Sequence, residues 1–139
     1  MFRLFYILGF VLTAVLGLMA QPVLAQTPDE ILASLKKDAA GTPGFKGFAA
    51  ARGENFFKTK QGGEWSCSSC HTDNPTAMGK HAKTGKAIDP LAPSANAERF
   101  TDIAKVEKWF KRNCNDVLKR ECTPQEKGDV LAYLLTVRK

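Results

Sequence analysis

The reading of this chain turns on Cys67-Ser68-Ser69-Cys70-His71. Two residues between the cysteines let both sulfurs reach the vinyl groups of a haem as thioethers. The adjacent His71 then falls under the iron as an axial ligand. Two rival readings fail on their own requirements. A zinc site needs a second ligand pair, but the other two cysteines, Cys114 and Cys122, have seven residues between them, outside the usual ligand spacing. A redox dithiol of thioredoxin type needs a βαβ setting, and no alternating β-branched run supplies one. The motif therefore implies one covalent haem c, and a buried haem supplies core that a small domain otherwise lacks.

Working back toward the N-terminus, Lys58 to Ser66 is a polar loop containing Gly62-Gly63. Before it, Phe48 to Phe57 reads as a helix, and Thr27-Pro28-Asp29-Glu30 opens another. There a cap hydroxyl, a proline at the first helical position and an acid three residues on from the cap form a capping box. Ile31, Leu32 and Leu35 carry its apolar side, and Gly41-Thr42-Pro43-Gly44 ends it. Residues 1–25 belong to another physical class. Arg3 gives a positive start, Leu4 to Ala25 carries no formal charge, and Pro22 precedes Val23-Leu24-Ala25. This is the pattern of a signal peptide cut after Ala25, leaving a haem domain at 26–139 in the periplasm. An uncleaved anchor is the alternative, since the run approaches the ~20 residues that span a bilayer.

Working forward, Thr72 to Asn96 reads as a long irregular section, broken by Pro75, Gly79, Gly85, Pro90 and Pro93 and suited to wrapping a bulky group. Thr101-Asp102 caps a helix with Ile103, Val106 and Phe110 on its apolar side, expected to end near Asn113 or Cys114. Thr123-Pro124-Gln125-Glu126 repeats the earlier capping box, and Val130, Leu131, Leu134 and Leu135 form the last stripe. The fold class is all-α. With export, a disulfide is the default state of Cys114 and Cys122.

The chain has 20 basic and 14 acidic residues, net +6, or +5 once Arg3 is removed. That balance favours acidic partners, but the lysines form no stripe with interleaved aromatics, so nucleic-acid binding is not expected. The sixth position of the iron is the open question. Met78 is the one methionine beyond the leader and lies too close to His71 to return on the opposite face, so it reads as a packing residue. His81 reads as a surface histidine between Lys80 and Lys83, with bis-histidine ligation as the strained alternative. An iron without a strong sixth ligand is open to small molecules.

Gly53-Glu54-Asn55-Phe56-Phe57 and Asp129-Val130-Leu131-Ala132-Tyr133-Leu134 resemble the crossing terminal helices of class I cytochromes c. A closer likeness runs through Thr84-Gly85-Lys86, Ile88, Pro90-Leu91-Ala92-Pro93-Ser94, Arg99-Phe100-Thr101-Asp102, Val106-Glu107-Lys108-Trp109, Arg112-Asn113-Cys114-Asn115 and Cys122-Thr123-Pro124. On these residues the chain resembles the sphaeroides haem protein family. That resemblance implies a class I fold, His71 and Asn113 as axial ligands, and release of the asparagine on reduction, opening a site for O2, NO or CO. The related cytochrome c″ type uses a detachable histidine, which this chain lacks near residue 113. A neutral amide oxygen is a hard, weak donor, better suited to ferric than to ferrous iron. Read without the resemblance, Asn113 or the neighbouring Asn115 is a helix C-cap.

Trp109 and Arg99 are candidates for lining the haem pocket and meeting a propionate. Core packing and a solvated guanidinium are their plainer roles. The functional expectation is a monomeric electron carrier, not an enzyme, taking electrons from a dihaem cytochrome c or a membrane cytochrome b. The alternative is a small haem enzyme reducing oxygen, nitric oxide or peroxide.

Overall fold

The computed structural model describes residues 25–139, so the signal segment expected at 1–25 lies almost wholly outside the described residues. Five helices follow in order: α1 Pro28–Ala40, α2 Ala50–Lys58, α3 Ser68–His71, α4 Ile103–Leu118 and α5 Pro124–Thr136. Two-residue strands, β1 Gly79–Lys80 and β2 Ala87–Ile88, pair antiparallel between α3 and α4. The architecture is all-α. No described helix is long and apolar enough to cross a membrane.

The two capping boxes form as their sequences dictate. The Thr27 and Thr123 side chains accept from the Glu30 and Glu126 amides at 3.2 Å each, and each glutamate reaches back to its cap amide at 2.7 Å. Each box satisfies amides that the first turn leaves without helical partners. On α1, Ile31, Leu35 and Ala39 recur every four residues and are buried. Ile31 and Leu35 pack with Val106 and Leu131, while Phe57, Val130, Tyr133 and Leu134 form a second cluster. Phe100 and Phe110 border both clusters, so the core is continuous from α1 to the crossing of α2 and α5.

That crossing is the most extensive helix pairing among the described residues, and Gly53 makes it close. A Cβ there would lie 1.8 Å from the Asp129 carbonyl oxygen. Beside it the Asp129 carboxylate, 4% exposed, accepts from the Ala49 amide at 2.7 Å, from Arg52 Nε at 2.8 Å and from Gln125 at 3.0 Å. These donors compensate the burial of a charge.

Three expectations are corrected. The second helix starts at Ala50, because residues 45–49 are irregular, with Gly47 at φ 72° and Ala49 extended. The helix after Asp102 does not stop at Asn113 or Cys114 but continues to Leu118. There Lys119, at φ 59°, takes the left-handed cap position, so neither Asn113 nor Asn115 is a C-cap. The section from Thr72 to Asn96 is not wholly irregular, since it contains the β1–β2 hairpin, whose two-residue strands are too short to show an alternating pattern.

Candidate haem site

Cys67 lies immediately before the single turn of α3, and Cys70 and His71 lie on it. The two intervening serines are part of its construction. The Ser66 amide donates to Ser69 Oγ at 2.9 Å, and the Ser69 amide donates back to Ser66 Oγ at 3.2 Å. This is a reciprocal cap built from two serines, with Ser68 Oγ 3.0 Å from Ser66 Oγ. The sequence signal was present as Ser-x-x-Ser but was hidden by the cysteines. Thr72 ends the turn at φ 63°, an uncommon conformation for a β-branched residue. Its hydroxyl donates to the Asn74 carbonyl at 2.6 Å and stabilises that bend.

Behind the turn, Gly79 is pressed against the motif, and a Cβ there would lie 2.3 Å from the Cys70 carbonyl oxygen and 3.2 Å from His71 Cα. The buried Pro75 anchors the following loop, its carbonyl accepting from the Leu91 and Ala92 amides at 2.9 and 3.0 Å. Phe57, deep in the core, sets its ring centroid 6.4 Å from that of His71. The helical crossing and the motif therefore share a wall.

The chemistry of these groups fits a c-type haem. Burial pushes the His71 imidazole down to about 4, with the Arg99 charge acting in the same direction, so at neutral pH it is the uncharged donor an iron requires. Cys67 and Cys70 form no disulfide, so both sulfurs are available for attachment. Burial pushes the Cys67 thiol up to about 11. No cluster of three or more potential metal-ligating side chains exists among the described residues. Cys67 and Cys70 could hold a haem through thioether bonds and His71 through its imidazole.

The other candidates are distributed unevenly. Asn113 is exposed on α4, one helical turn beyond Trp109, which is 48% exposed and stacked under the Arg112 guanidinium at 5.5 Å. That i, i+4 spacing puts the indole and the amide on one face. Asn115 is engaged differently, its amide nitrogen donating to the Lys111 carbonyl at 2.7 Å. Arg99 neither extends into solvent nor lies free, since it donates to the Pro90 and Asp89 carbonyls at 3.0 and 2.8 Å and so fixes the loop in front of His71. Cys114 and Cys122 form a disulfide with Cα atoms 5.6 Å apart, tying the last turns of α4 to the start of α5.

Two sixth-ligand alternatives are also located. Met78, immediately before β1, is 54% exposed, not the packing residue expected. His81 is half-buried in the hairpin. Its Nδ1 accepts from the Lys83 and Thr84 amides at 3.3 Å each, a turn-building role that a surface reading missed.

Residues 43–134 match a family described as a domain of unknown function, DUF1924. The cytochrome c-type protein SHP of Cereibacter sphaeroides is 47% identical over 130 residues, covering 89% of this chain and 94% of that protein. Cytochrome c″ of Methylophilus methylotrophus is 55% identical over 83 residues, covering 60% of this chain, and that match spans 58% of the relative's length. Among solved structures, oxidised cytochrome c″ superposes with TM-score 0.70 at 43% identity, covering 81% of this chain and 95% of the other. Oxidised SHP, described as an oxygen-binding cytochrome c, superposes with TM-score 0.68 at 46% identity, covering 79% and 96%.

Proposed function

The chain belongs to the DUF1924 family and is a homologue of SHP and cytochrome c″, a class I c-type cytochrome with covalently bound haem c; on that premise we propose that it is an exported electron carrier whose sixth ligand leaves on reduction. Cys67 and Cys70 carry the thioethers, His71 is the permanent ligand and Asn113 the detachable one. The haem supplies one-electron chemistry and an iron that binds small molecules when a ligand position is free.

The observation that carries this reading is the disposition of the rival donors. His81 uses Nδ1 to hold its own turn, and Asn115 donates its amide to the helix. Asn113 projects from the exposed face that also carries Trp109. An amide oxygen is a hard donor, held by ferric iron and weakly held by ferrous iron. Reduction would therefore open the position to O2, NO or CO, in keeping with the description of SHP as oxygen-binding. Electron carriage ranks above reduction of a small molecule, because general acid–base work needs a titrating side chain near the iron. The one other histidine, His81, is committed to the hairpin. The net charge favours an acidic redox protein as partner, with a dihaem cytochrome c or a membrane cytochrome b as the expected donor.

Carbon monoxide added to the dithionite-reduced protein tests the release. A shifted Soret band is expected, and an unchanged six-coordinate spectrum would falsify it. Asn113→Ala should turn the ferric form from low spin toward water-ligated high spin, while Asn115→Ala leaves it unchanged. The reverse result would move the ligand to Asn115.

A further inference from the structure

The β1–β2 hairpin carries Lys80, Lys83 and Lys86 within seven residues, all exposed. Its turn is rigid, with the His81 amide donating to the Lys86 carbonyl at 2.8 Å and the Gly85 amide to the His81 carbonyl at 2.8 Å. Lys58, Lys105, Lys111 and Lys127 each have a carboxylate partner, whereas these three, like Lys36 and Lys37 on α1, form no ion pair among the described residues. The hairpin also touches the cofactor motif, since the Ala82 amide donates to Cys70 Sγ at 3.3 Å.

A second segment reinforces the patch. Trp65, two residues before Cys67, has Lys83 Nζ over its ring at 4.9 Å and Lys119 Nζ at 5.9 Å. One indole thereby gathers a lysine from the hairpin and one from the end of α4. Side chains restrained in this way lose less freedom when a partner binds.

We infer that the Lys80–Lys86 hairpin, joined by Lys119 across Trp65, is the docking surface for an acidic redox protein, at the edge where Cys70 would hold the haem. The inference rests on the electron-carrier half of the proposed function and is independent of Asn113. Unpaired lysines at the edge of the cofactor attract and orient an acidic face, and such steering shows as an association rate that falls with salt. Glu64 and Asp89 at the margins limit the patch to this edge.

The test is stopped-flow oxidation of the ferrous holoprotein by ferricyanide, one electron passing from the haem protein to give ferrocyanide. It is run at about 10 mM ionic strength, where charges act over about 30 Å. Lys83→Glu with Lys86→Glu should slow the reaction roughly tenfold. Lys36→Glu with Lys37→Glu, an identical change in net charge on the exposed side of α1, should slow it less than about twofold. Trp65→Leu, with no change in charge, should slow it by roughly two- to threefold. Polyglutamate, standing in for an acidic protein face, should inhibit the wild type and the α1 variant but not the hairpin variant. Equal slowing by the two double variants, or equal inhibition of all three proteins by polyglutamate, would overturn the assignment and leave only an effect of net charge. If the double glutamate variant fails to incorporate haem, Lys83→Gln with Lys86→Gln carries the same comparison with a smaller expected ratio. None of these results depends on ligand release, so the carbon monoxide experiment stands or falls separately.

Discussion

The α2–α5 crossing and the turn bearing Cys70 and His71 are both built on a glycine pressed against a backbone carbonyl, yet they are secured in different ways. At the crossing, Gly53 meets Asp129, and apolar burial on both helices surrounds the contact. At the motif, Gly79 meets Cys70, and the surroundings are short-range hydrogen bonds among Ser66, Ser69, Thr72 and Asn74, with the Pro75 carbonyl accepting from the Leu91 and Ala92 amides. The first region is a packed frame that stands on its own side chains. The second is a set of tied loops shaped for a cofactor.

Gly53→Ala is the strongest way to break that comparison. A Cβ 1.8 Å from the Asp129 oxygen and 2.3 Å from its carbonyl carbon meets backbone on both counts, so the helices must separate. We expect a loss of more than about 3 kcal/mol, at or beyond the upper end of ordinary overpacking, read as a lowered denaturation midpoint and poor recovery of holoprotein. Gly128→Ala is a useful partner experiment. Its Cβ would lie 2.0 Å from the half-buried Phe48 ring, a side chain that can turn aside, and the cost should be smaller.

Removing the disulfide should come next in size. Among the described residues no extensive backbone pairing joins α4 to another element in the way that α2 joins α5. It is held by Val106 and Phe110 in the core, an ion pair between Glu107 and Lys127, and the Cys114–Cys122 bridge. Cys114→Ala with Cys122→Ala should cost about 2.5 kcal/mol in the chain-entropy model. Hydrogen exchange should locate the loss, with α4 amides exchanging faster while those of α2 and α5 keep their protection. Uniform acceleration would mean that α4 belongs to the frame after all.

The same division explains what could be read from the residues. The frame was legible, because capping boxes, apolar stripes at helical spacing and a proline at the first turn are local signals, and local signals made α1 and α5. The attachment motif was legible because its chemistry requires one spacing. What escaped depended on contacts between segments distant in the chain. The run of α4 past Asn113 to Leu118 was masked by a polar stretch that reads as a helix end. The hairpin at 79–88 was too short for any period to show. His81 as a turn-builder and Arg99 as a clamp on the Asp89–Pro90 backbone are visible only once the loop is folded.

Gly79→Ala probes the cofactor side directly. Its Cβ would sit 2.3 Å from the Cys70 oxygen, but at the start of the two-residue strand β1, which can shift by more than a helix crossing can. A cost of about 1 to 2 kcal/mol is expected, together with an altered Soret band in protein that is still fully folded. Gly53→Ala, where it folds, should leave that band unchanged. A spectral change of equal size in both variants would erase the distinction between frame and cofactor side.

The smallest effect belongs to the frame alone and is set by pH. The boxes at Glu30 and Glu126 have the same reciprocal geometry, but Glu126 also receives two hydrogen bonds from Arg120, at 2.7 and 2.8 Å. Burial pushes its carboxyl up, and the Arg120 guanidinium together with the Thr123 amide outweighs that effect, holding it below the ordinary carboxylate value. A carboxyl depressed in the folded state stabilises the fold above its unfolded value, and the contribution fades as pH falls through the folded value. The Arg120 side chain is half exposed, so solvent screening limits the pair to about 0.5 to 1 kcal/mol. Glu126→Gln keeps an oxygen to accept from the Thr123 amide but removes the charge, so it should lose this amount at pH 7, and the difference from the wild type should vanish as pH falls below the folded carboxyl value. The haem spectrum should be the same at pH 7 in both proteins, because the pair secures the start of α5 and touches no group around His71.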